Sequence, residues 1–125
     1  MSDTYTMKTD QKTLQRVYGY SFAKIYPLYV TKVERKGRTQ KELDTVLQWL
    51  TGYTPAKLKM VIKKEVDLAT FFKKAPKLNP KRKKITGVIC GVRVEEIKEK
   101  TMQEIRYMDK LVDELAKGKK METIL

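Results

Sequence analysis

The sequence predicts an all-α fold, a single compact domain of about five to seven short helices. Three observations carry that prediction. Met102, Ile105, Met108, Leu111, Val112 and Leu115 recur at the helical period. Helix-start residues recur along the chain, with Ser21, Thr39, Thr54, Asp67 and Asn79 each standing just before a helix-period run or a proline. Only residues 85–94 alternate as a strand does, and a lone strand leaves its backbone groups without partners. The alternative is a mostly α fold with a small β-hairpin around 85–94.

Residues 1–16 are polar and threonine-rich and read as a loosely ordered tail ahead of one helical domain over 17–125. In "SFAKIYPLYVTKVERKG", Phe22, Ile25, Tyr26, Tyr29 and Val33 share a helical face, with Ser21 as cap and Gly37 as stop. Pro27 lacks an N–H and crowds the carbonyl four residues back, which predicts a kinked or broken helix. In "TQKELDTVLQWLTG", Thr39 and Glu42 have capping-box spacing, and Gly52 follows the apolar run Leu43, Val46, Leu47, Leu50. Thr54 and Pro55 open the next helix, which carries Leu58, Val61 and Ile62. Asp67 caps a short helix with Leu68, Phe71, Phe72 and Ala75, ended by Pro76. Trp49 and Tyr53 are expected to pack at the corner between the helices on either side of Gly52.

The stretch "ITGVICGVRVEEI" is ambiguous. Ile85, Val88, Ile89 and Val92 fit a helix, while Val88, Cys90, Val92 and Val94 fit a strand. With no second strand in sight, a helix from Pro80 to about Cys90 is the reading, ended by Gly91. Cys90 is then a core thiol near a helix C-terminus, whose negative end opposes a thiolate. The last helix is the clearest, stopped by Gly118, and "METIL" adds an apolar turn.

Composition narrows the function. The chain has no histidine, which removes the commonest neutral-pH base and the commonest metal ligand. One cysteine excludes an intrachain disulfide and a multi-cysteine zinc site. There is no nucleotide loop, dinucleotide fingerprint or nucleophile elbow, so no catalytic residue, metal site or cofactor is expected. The reading is non-enzymatic. No apolar run reaches the ~20 residues of a spanning helix, and the N-terminus carries no signal-peptide core, so a cytoplasmic protein is expected, a monomer or a homodimer.

The net charge is +13. Lys57, Lys59, Lys63, Lys64, Lys73, Lys74, Lys77, Lys81, Arg82, Lys83 and Lys84 face only Glu65 and Asp67, so residues 57–84 hold +9 of it. Such a stretch attracts nucleic acid or another polyanion through phosphate contacts. Residues 40–64 have the length of a helix-turn-helix, yet residues 55–65 contain no Arg, Asn or Gln with which to read bases. The bland reading is a solvated face. A second candidate is a polar pocket built from Arg93, Glu104, Arg106, Tyr107 and Asp109, taking a small ligand or substrate. A third is an exposed aromatic patch used for protein contact or dimerisation.

The blocks "SFAKIYPLYVTKVERKGRT", "WLTGY", "FFKKAPKLNP", "ITGVICGVRVEEI" and "MQEIRYMDKLVDELAKGK", in that order, resemble the prokaryotic family called domain of unknown function 2200. The resemblance spans roughly residues 17–125. It implies a single compact cytoplasmic domain and brings no catalytic residues to carry over.

Overall fold

A computed structural model describes residues 11–125. The described elements are helices α1 (Gln11–Tyr18), α2 (Phe22–Arg35), α3 (Gln40–Thr51), α4 (Pro55–Lys63) and α5 (Leu68–Lys73), then a 3-10 turn (Pro80–Lys84). Strands β1 (Val88–Ile89) and β2 (Val92–Arg93) follow, then a second 3-10 turn (Val94–Glu96), α6 (Lys100–Ala116) and α7 (Met121–Ile124). The fold is mostly helical with one small antiparallel hairpin. Residues 1–10 of the expected tail lie outside the described residues. From Gln11 the chain is helical, not loose. Val17 and Tyr18 pack on the core, and the Tyr18 hydroxyl donates to Glu99.

The caps form as their chemistry dictates. Ser21 Oγ accepts the Ala23 amide at 3.1 Å, Thr54 Oγ1 accepts that of Lys57 at 3.2 Å, and Asp67 Oδ1 accepts that of Thr70 at 2.7 Å. Thr39 and Glu42 complete a reciprocal capping box. Helix α2 runs unbroken through Pro27, which is exposed. It ends in a Schellman turn, with the Arg38 amide on Val33 O at 2.9 Å, the Gly37 amide on Glu34 O at 3.0 Å, and Gly37 at φ +85°.

The helix expected over 80–90 is shorter than its residues suggested. Asn79 caps a 3-10 turn that stops at Lys84, and residues 88–93 are a hairpin pairing Val88 with Arg93 and Ile89 with Val92. Cys90 and Gly91 form its two-residue loop at φ +53° and +81°. Two consecutive positive φ values match the twist of paired strands, as in a type I′ turn. The missing second strand was the other half of the same short stretch.

Helix α2 packs on α3, α4 and α6, and α6 also packs on α3, α5, α7 and the hairpin. All six residues of the α6 stripe are buried, each worth ~1.5–3 kcal/mol against an exposed side chain. Phe22, Tyr26 and Tyr29 face the core as their spacing predicts.

Gly52 ends α3 just before α4 and packs against the loop that leads into the 3-10 turn. It has φ +78°, and a Cβ there would lie 2.7 Å from the Lys77 amide nitrogen and 2.9 Å from its carbonyl oxygen. The Lys77 amide donates to Thr51 O at 3.0 Å, so the loop cannot retreat without losing that bond. Gly52→Ala is therefore expected to cost ~1–2 kcal/mol for left-handed backbone and a further ~1–3 kcal/mol for overpacking. Gly37→Ala, at φ +85° with nothing within 4 Å of its Cβ, carries only the first cost. Urea unfolding of the two variants measures the difference.

Candidate functional site

The ten lysines of the basic segment are all exposed. They decorate α4, its C-terminal cap, the end of α5, the following loop and the 3-10 turn. None of them pairs with a carboxylate among the described residues, whereas Lys32, Lys110, Lys117 and Lys119 do. The contrast is between paired cations, of which Lys32, Lys117 and Lys119 are exposed as well, and unpaired ones.

Arg82 belongs to the first group, which corrects its place in the predicted footprint. Its Nε and Nη2 donate to the two oxygens of Glu104 at 2.7 and 2.8 Å, and its Nη1 donates to Asn79 O at 3.0 Å. Both side chains are largely covered. A bidentate, charge-assisted pair of this kind clamps the 3-10 turn to α6.

The proposed polar pocket does not assemble. Glu104 is taken by Arg82, and Tyr107 is buried. Arg93 is exposed and pairs with Glu95 at 2.8 Å. The Glu95 carboxyl is held down at about 2, chiefly by the Gly87 amide that donates to it and also by Arg93. Arg93 therefore fastens the hairpin and does not reach the Arg106 group. Helical geometry explains the split, since positions 104 and 107 lie on one side of α6 and 106 and 109 on another.

Arg106 and Asp109 do meet, at 2.7 Å, and Asp109 also accepts the Tyr29 hydroxyl at 2.5 Å. Burial, together with the Asp109 carboxylate, pushes the Tyr29 phenol well above its ordinary range. The hairpin tip brings Cys90 Sγ to 3.4 Å from Arg106 Nη1. Cys90 is exposed, not core as its neighbours suggested, because the turn lifts it off the domain. Its thiol still titrates above the usual range. Partial burial of the group outweighs the pull of Arg106, and Asp109 adds to the rise. Since only the thiolate attacks, Cys90 is expected to react with iodoacetamide more slowly than free cysteine at pH 8, despite its exposure. The gap should narrow as pH rises through its pKa, and alkylation followed by mass spectrometry gives the profile.

Tyr20 is the one aromatic side chain exposed among those described, so there is no exposed aromatic patch on them. Trp49 does more than fill a corner. It lines a cleft with Lys81, Lys84 and residues of α6 and α7, while Tyr53 is buried with its hydroxyl on Phe71 O at 2.7 Å. Lys110 is buried and forms an i, i+4 pair with Glu114 at 3.4 Å. Its side chain folds beneath the hairpin, which no helical period signals.

Comparison with protein-family models matches residues 16–125 to DUF2200, described as an uncharacterized protein conserved in bacteria. The chain belongs to this family. It is also similar to the crystal structure of "uncharacterized protein SP1917", with 46% identity, a TM-score of 0.83, and coverage of 89% of this chain and 91% of that one. No curated protein matches. No helix among the described residues of this DUF2200 member is long and apolar enough to cross a membrane.

Proposed function

We propose that this DUF2200 protein is a non-enzymatic cytoplasmic binding module for polyanions, nucleic acid foremost, held through the lysines of residues 57–84. The observation that carries the reading is that ten exposed lysines have no carboxylate partner among the described residues. Each keeps an ammonium that a phosphate can approach without first breaking an ion pair. Lysines act as point charges and do not read base edges, so binding depends on backbone charge and not on sequence. Helix α4 contributes Lys57, Lys59 and Lys63 to this set, without the Arg, Asn or Gln of a recognition helix.

The test is fluorescence anisotropy with a labelled duplex of random sequence and a labelled single-stranded RNA at ~50 mM salt, where counterion release favours binding. Saturable binding to both is the expected result. Absence of binding to either at that salt ends the proposal.

A further inference from the structure

Between α3, the 3-10 turn, α6 and α7 lies a cavity of about 430 Å³. Such a volume falls in the range of small-molecule sites, ~300–1,000 Å³. Its wall chemistry is divided. Trp49, Ile85, Leu111 and Ile124 supply apolar surface, while Lys81, Lys84, Lys110 and Lys119 supply four ammonium groups against the single side-chain carboxylate of Glu114. Glu114 is already engaged by Lys110 and Lys119. Lys81 and Lys84 have no carboxylate partner among the described residues. Its lining side chains thus carry an excess of three positive charges, and low-dielectric walls focus their field.

Lys110 gives the cleft a built floor. It is the one charged residue buried among those described. Its ammonium donates to Val88 O at 3.3 Å and lies 3.4 Å from Glu114 Oε2, both longer than the ~2.9 Å optimum. An ammonium has three protons to give, so these two weak partners leave capacity for another acceptor. Gly87, at φ +110°, leaves the space, because a Cβ there would lie 3.1 Å from Lys110 Cε and 3.2 Å from Nζ.

We propose that this cleft binds a small phosphorylated molecule with one planar ring system, of mononucleotide size. The ring lies against Trp49, and the phosphate faces Lys81 and Lys84. Charge alone would attract any anion. The indole adds the requirement for a ring, since base-on-aromatic stacking contributes ~1–3 kcal/mol. This proposal does not rest on nucleic-acid binding by the basic segment.

Trp49 is the only tryptophan in the chain, so its emission reports on this cleft alone. The full chain is titrated with adenosine 5′-monophosphate, with adenosine and with inorganic phosphate, exciting the indole selectively. A saturable change with the monophosphate is expected, with a midpoint below about 1 mM, the weak end of specific affinity. Adenosine and phosphate alone should each be weaker by about tenfold or more. Lys81→Glu and Lys84→Glu, both exposed positions that leave the core untouched, should each weaken the monophosphate by a similar factor. No saturable change up to about ten times that concentration overturns the proposal, as does an equal response to adenosine or a response unchanged in both variants. The chain carrying Lys57→Glu, Lys59→Glu, Lys63→Glu and Lys64→Glu should keep the monophosphate response while losing duplex binding, which separates failure of the cleft from failure of the polyanion interface.

Discussion

Phe71→Ala is expected to lower the melting temperature by roughly 10–20 °C. That shift is what ~3–5 kcal/mol produces in a domain of this size. Phe71 is fully buried and stacks on Phe22 at 4.1 Å between ring centroids, with planes 8° apart. Tyr53 approaches at 5.0 Å and Phe72 meets it edge-on at 5.1 Å. Truncation removes the transfer energy of the ring, leaves a cavity, and dissolves contacts worth ~0.5–1.5 kcal/mol each beyond burial. Phe71 also ties α5 to α2 and to the start of α4, so few groups can relax into the space. Against a total stability of ~5–15 kcal/mol, the loss is a large share. Phe71→Leu, which fills most of the volume, should recover more than half of it. Calorimetry on both variants measures the effect, and a Phe71→Ala shift of only a degree or two would mean that this cluster is not the centre of the core.

Charge reversal at Lys57, Lys59, Lys63 and Lys64 is expected to weaken duplex binding by more than about a hundredfold near 0.1 M salt. The four changes take the net charge from +13 to +5, two units per site. All four side chains are exposed and have no carboxylate partner among the described residues. Stability should therefore change by little, within about 0.5 kcal/mol per site. A loss of binding with an unchanged melting temperature assigns the effect to the interface. Anisotropy and thermal melting of the same preparation read both quantities.

Much of the fold was legible because its devices are local. Ser21, Thr39, Thr54 and Asp67 announce helix starts through side-chain oxygens that reach amides two or three residues on. The stripe from Met102 to Leu115 announces its buried face by period alone. The hairpin was harder. Its strands are two residues each, too short for a period-2 pattern to outweigh a helical one, and its Cys90–Gly91 loop lacks the usual Asn-Gly signal. The helix Gln11–Tyr18 begins within the stretch read as a tail up to residue 16, and its docking contact, Tyr18 to Glu99, joins residues far apart in the chain.

The candidate site divides in the same way. Exposure of the lysines follows from their density, since ten ammonium groups cannot all be buried. Their being unneutralised does not follow, because Arg82 in the midst of them is clamped by Glu104, twenty-two residues away. The cleft around Trp49 was not legible either. It needs the hairpin to cover Lys110, Gly87 to make room, and α7 to fold back beside α3. Each is a contact between segments distant in sequence, which composition and period do not encode.

The most direct measurement of the central claim is the salt dependence of duplex binding by the unmodified chain. If about six of the exposed lysines each displace a phosphate counterion, a plot of log affinity against log salt falls with a slope of about −5. The slope should be the same for duplexes of unrelated sequence. A slope near zero, or binding confined to one sequence, would contradict an interface made of unneutralised lysines.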